Sequence, residues 1–140
     1  MKRTGTMHLS ACLIALLLVA TSRADEPTAA DIKPDPETLK SLEQKINEMR
    51  ESYGLKKLTV VADLSKKAQQ HANWMKDNGL IHSRMGYPEI IASGQKTPGG
   101  AVSAWLGSRG HRAIMLGGYQ RYGVGCVVLE NRDYWIAIFE

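Results

Sequence analysis

The chain has 140 residues, with 18 Lys and Arg against 14 Asp and Glu and a formal charge of +4. Residues 1–24 carry Lys2, Arg3 and Arg23 and no acid, so residues 25–140 hold 15 basic against 14 acidic groups. A nearly neutral domain lacks the electrostatic footprint of a nucleic-acid binder, and no Gly-rich phosphate loop or Cys-x-x-Cys pair occurs to support nucleotide or zinc-ribbon chemistry.

Residues 1–24 have the three parts of a secretory signal peptide: the basic start, an apolar run from Leu9 to Ala20, and small residues at Ser22 and Ala24. Cleavage near Ala24 is expected, with a secreted or periplasmic product. The run of 12 residues is shorter than the roughly 20 a membrane-spanning helix needs, so no permanent membrane anchor is expected. Leu9-Ser10-Ala11-Cys12 looks like a lipidation box, but the apolar run follows the cysteine instead of preceding it.

The remaining 116 residues suffice for one compact domain. Cys126 is the only cysteine among them, so an internal disulfide is excluded and a packed core must hold the fold. Residues 25–37 are polar, with Pro27, Pro34 and Pro36, and read as a flexible lead-in; the domain is expected to span 38–140.

Leu39, Leu42, Ile46, Met49 and Tyr53 recur at spacings of three and four, the pattern of one helix face, and Gly54 follows as a stop. A second helix carries Leu64, Ala68, His71, Ala72 and Met75 on one stripe, with Asp63 as its expected N-cap and Asn78-Gly79 as its end. Residues 80–100 are rich in Gly, Pro and Ser and read as irregular, apart from a short strand over Glu89–Ala92. A third helix is expected over Gly99–Leu106 and a further turn over His111–Leu116, separated by Gly107 and Gly110. The C-terminal runs Gly123–Leu129 and Tyr134–Phe139, joined by a polar turn, form an antiparallel hairpin. Both runs are apolar on both faces, so helices must cover each side, which gives an α+β helix–sheet–helix sandwich.

Three histidines remain for imidazole chemistry: His71, His82 and His111. His71 lies in an apolar stripe and reads as a packed residue. His82 and His111 sit just beyond helices among Gly, Ser and Arg, where side chains on a rigid scaffold usually meet solvent or ligand. Glu89 is the only acid between Asp77 and Glu130. Two imidazoles and one carboxylate can ligate zinc or arrange acid–base work. Ser83 and Ser108 neighbour the two loop histidines, which raises a Ser-His-Glu triad as an alternative; Ser108 also suits a cap for the turn into His111. Cys126 alternates within a strand and reads as a buried, unreactive thiol. Trp105 and Trp135 read as core, while Trp74 falls off the second helix's stripe and is a candidate surface contact. Arg84, Arg109 and Arg112 flank the loop histidines.

The strings Leu64-x-x-x-Ala68-x-x-His71-Ala72-x-x-Met75, Ile81-His82-Ser83, Glu89-x-Ile91-Ala92-x-Gly94, Ala104-Trp105-x-x-Ser108-x-Gly110-His111-Arg112 and Tyr122-Gly123-Val124-Gly125 together resemble the CAP superfamily. That family takes in cysteine-rich secretory proteins, plant pathogenesis-related proteins and bacterial SCP-like proteins. The resemblance runs from about Leu39 to Phe139. It implies an α-β-α sandwich with a small antiparallel sheet and a cleft lined by two histidines and two acids. His82 and His111 match the histidines and Glu89 the first acid; Ser108 stands where many eukaryotic members have the second acid. His82, Glu89 and His111 are thereby the implied ligands of zinc or another divalent metal, with Ser108 in the same cleft. Ile90 and Ile114 replace the family's usual Asn residues. The reading that follows is a secreted binding or interaction module whose extracellular or periplasmic ligand the sequence does not name. The alternative is a metal-assisted or acid–base hydrolase of peptide or cell-wall material, with lipid or sterol carriage, known elsewhere in the family, as a third possibility.

Overall fold

The computed structural model describes residues 33–140; the expected signal peptide and most of the lead-in lie outside them. In chain order the elements are α1 (Pro36–Ser52), β1 (Thr59–Val60), α2 (Ala62–Asn78), β2 (Glu89–Ser93), α3 (Pro98–Gly107), α4 (Arg109–Met115), β3 (Arg121–Val127) and β4 (Tyr134–Phe139).

Helix α1 starts where its chemistry allows. Asp35 accepts the backbone N–H of Thr38, and Pro36 occupies the first turn, where its missing N–H costs nothing. Two residues assigned from sequence to the lead-in, Pro36 and Glu37, are therefore helical. Leu42 and Ile46 are fully buried, whereas Tyr53, expected on the same face, caps the helix and is exposed.

Helix α2 begins at Ala62, with Val61 at the cap and Asp63 inside the first turn, paired with Lys67. The expected Asp63 cap fails because strand pairing sets the start: the Val61 N–H donates to the Tyr122 carbonyl at 2.9 Å, so the chain leaves the sheet directly into the helix. The helix ends as expected at Gly79, which adopts a φ of +91°.

Helices α3 and α4 are divided by Ser108 alone, extended at φ −94° and ψ 121°; Gly110 lies within the first turn of α4 and is no separator. Thr97 caps α3 by accepting the Gly100 N–H.

The sheet has the order β1-β3-β4-β2, with β2–β4 and β3–β4 antiparallel and β1–β3 parallel, so it is mixed instead of wholly antiparallel. The two-residue β1 was not expected, because two residues carry no readable alternation. One face of the sheet presents Tyr122, Val124, Cys126, Trp135 and Phe139 to Leu42, Ile46, Trp105 and Met115 of α1, α3 and α4. The other presents Ile91, Val127, Ile136 and Ile138 to Leu64, Ala68, Ala72 and Met75 of α2. The double-sided apolar strands are thus covered on both faces, as a sandwich requires. Among the described residues no helix is long and apolar enough to cross a membrane.

Candidate functional site

The site forms beside the edge strand β2. Gly79 stops α2 and releases a loop that brings His82 and Ser83 back toward the start of β2, where Glu89 stands opposite Ile138 of β4. Neighbouring strand residues point to opposite faces. Ile90 enters the core shared with α1 and α3, leaving the Glu89 side chain to the loop.

Glu89 is only 6% exposed, and a buried carboxylate must be hydrogen-bonded. Three donors meet it. His82 Nδ1 lies 2.9 Å from Oε1, the Ser83 backbone N–H donates to the same oxygen, and the Ser83 hydroxyl donates to Oε2. A carboxylate only accepts, so Nδ1 of His82 is the donor, and in the neutral ring Nε2 is the nitrogen with the open lone pair. The His82 side chain is about half exposed. His111, on α4, brings its ring to 6.1 Å from that of His82, centroid to centroid, at an interplanar angle of 51°. Burial holds the His111 imidazole below its usual pKa, and the neighbouring His82 adds to that depression.

The structure thus joins His82 to Glu89 and sets His111 beside them. Ser108 takes the cap position of α4, as its spacing suggested, but its hydroxyl makes no capping hydrogen bond. Among the described residues no three or more His, Cys, Asp and Glu side chains are grouped to hold a metal ion; both Glu89 oxygens are engaged by Ser83 and His82. Ser83, raised from sequence only as a nucleophile, is a carboxylate anchor here. Its hydroxyl faces Glu89 and not an imidazole, so the Ser-His-Glu arrangement lacks the serine–histidine contact that activates a nucleophile.

The profile of the CAP family, described as the cysteine-rich secretory protein family, matches residues 43–139. The chain belongs to the CAP family. This CAP chain is 32% identical to YkwD of Bacillus subtilis (strain 168), over 74% of its own length and 49% of the relative's, so it spans about half of that protein. Among solved structures it is similar to an outer surface protein of Borrelia burgdorferi, with a TM-score of 0.68 and 24% identity over 76% of this chain and 94% of that one. It is also similar to an extracellular protein containing a SCP domain from Bacillus anthracis str. Ames, with a TM-score of 0.57 and 23% identity over 77% and 45% of the two chains.

His71, expected to be packed, is only half-buried, with Nε2 2.8 Å from the Ile81 carbonyl and its ring stacked on Trp74 at 5.4 Å. Ile114, like Ile90, packs against the core. Trp105 and Trp135 are fully buried, and Cys126 is buried with its pKa pushed up to about 12 by desolvation first and by Asp133 second. Arg84, Arg109 and Arg112 are exposed. Sequence reasoning missed the buried Arg50, whose guanidinium donates to the carbonyls of Lys56, Met115 and Gly117 and ties the end of α1 to the end of α4.

Proposed function

We propose that this CAP domain is an exported binding module whose cleft at His82, Glu89 and His111 takes a divalent cation or a small polar ligand. Export is supported by the leader of residues 1–24 and by a structural relative described as extracellular. The cleft reading is carried by one observation: the buried Glu89 fixes the proton on His82 Nδ1 and leaves Nε2 free next to a second imidazole.

Neutral imidazole nitrogens suit zinc, and a ligating histidine almost always donates its other N–H to a carboxylate or carbonyl. In this reading His82 and His111 would be the two protein ligands, with Glu89 acting through His82 and the remaining positions left to solvent or ligand. A bound cation would supply Lewis acidity in the cleft. The protein's own part is to hold one imidazole tautomer and to keep the second ring partly desolvated and neutral.

Calorimetric titration of the purified protein with zinc at neutral pH tests this. Saturable binding is expected, lost in His82→Ala and in His111→Ala and weakened about 10- to 100-fold in Glu89→Gln, where the orienting partner is impaired. Undetectable binding, or binding unchanged in the two histidine variants, rejects the cation site.

A further inference from the structure

A second feature adjoins the cleft and shares only its His82–Ser83 edge. Trp74, Ile81 and Met85, with His71, His82 and Arg84, line an open groove of about 430 Å³. The three apolar side chains are 43%, 53% and 37% exposed, and they are three of only seven large apolar residues exposed among those described. Keeping that apolar area in water forgoes the transfer free energy its burial would give. The fold does not demand that exposure: α2 already buries Leu64, Ala68, Ala72 and Met75 against the sheet, and Trp74 points off that stripe.

The groove is built before any ligand arrives. His71 Nε2 donates to the Ile81 carbonyl at 2.8 Å and so pins the loop to α2, and its ring lies at 12° to the indole of Trp74. The stack fixes the orientation of the indole, and Trp74 stays 43% exposed, a rigid planar surface that suits another ring better than a flexible acyl chain. Arg84 carries the permanent charge, and no carboxylate lines the groove. A guanidinium beside an apolar surface selects an apolar group attached to an anion, which it holds by paired charge-assisted hydrogen bonds. The volume is at the small end for ligand sites, enough for one residue with its backbone and too small to seat a folded partner.

We infer that this groove binds the C-terminal residue of peptides that end in an aromatic side chain, with the ring on Trp74 and the terminal carboxylate at Arg84. The groove shares His82 with the cation cleft, but its recognition chemistry requires no cation.

The chain's three tryptophans make the test direct. Trp105 and Trp135 are fully buried, so a ligand-induced change in indole emission reports Trp74. Titration of the metal-free protein with Gly-Gly-Phe should shift the emission saturably, and the C-terminal amide of the same peptide should bind about tenfold more weakly. By calorimetry, Arg84→Gln should erase the difference between acid and amide. Trp74→Ala should weaken binding of the acid about tenfold. Arg84 is exposed, so Arg84→Gln should leave the thermal midpoint unchanged, and neither variant should change zinc uptake. Equal affinity for acid and amide, no saturable shift, or binding untouched in both variants overturns the inference; so does tighter binding of laurate than of Gly-Gly-Phe, which would make the groove a lipid site. Zinc uptake with no peptide binding overturns the groove alone, and peptide binding without zinc uptake supports the groove while removing the cation site.

Discussion

The two cleft imidazoles differ in what surrounds them, and the difference has a sign. His111 titrates below the usual histidine value of 6.5, first because its ring is partly withdrawn from water and second because His82 stands beside it. Its folded pKa is thus below its unfolded one, so the fold favours the neutral ring. The stability contributed is fully present above about pH 6.5 and is lost as pH falls through the unfolded and then the folded value. Following the imidazole protons of the metal-free protein by NMR should give a His111 midpoint under 6.5. His82→Gln should raise it only part of the way, because burial is the larger cause; a midpoint at or above 6.5 in that variant would contradict the order of causes. The loop histidines and Glu89 stood out in the sequence because so few groups of their kind occur. Arg50 and Ser83 could not be found that way. A guanidinium satisfied by one carbonyl six residues on and two more than 60 residues on, and a hydroxyl turned onto a carboxylate six residues on, leave no periodic trace.

Helix α2 rests on strand β3 at two glycines. A Cβ placed on Gly125 would come within 2.5 Å of the backbone of Ala68 and Gln69, and one on Gly123 within 2.1 Å of the Ser65 nitrogen. The helix backbone occupies the space that side chains would fill. Gln69 then locks the register by exchanging two hydrogen bonds with the backbone of Cys126, at 2.7 and 3.0 Å. In an ordinary strand Gly→Ala stabilises by up to about 1 kcal/mol. Gly125→Ala should instead destabilise by about 3 kcal/mol, because the rigid helix backbone must move and overpacking of that kind is costly. Urea unfolding would show a lower midpoint at unchanged slope; a loss under about 1 kcal/mol would mean that α2 shifts freely on the sheet. The sequence showed the helices and the hairpin wherever a period or a run of β-branched residues was long enough to read. It hid β1, and it misassigned the start of α2 and the break before α4. Those boundaries are set by pairing with Tyr122 across the sheet and by one extended serine, not by local propensity.

For the molecule as a whole, the central hairpin has no solvated face. Every residue of β4 is buried, between the three helices on one side and α2 on the other. Cys126 lies in the middle of β3 within the larger of the two clusters and is fully buried. Its pKa of about 12 leaves a thiolate fraction on the order of one part in ten thousand at pH 8. Thiol chemistry at that position therefore reads the integrity of the whole sandwich. Native protein treated with iodoacetamide and mapped by peptide should show residue 126 unmodified, and the labelling rate should rise with urea as steeply as global unfolding does. Reducing agents should not change the unfolding midpoint, because no bridge to this cysteine contributes to the fold. Labelling in buffer at a rate indifferent to urea would mean that β3 opens locally. The two covered faces would then not unfold as one cooperative unit.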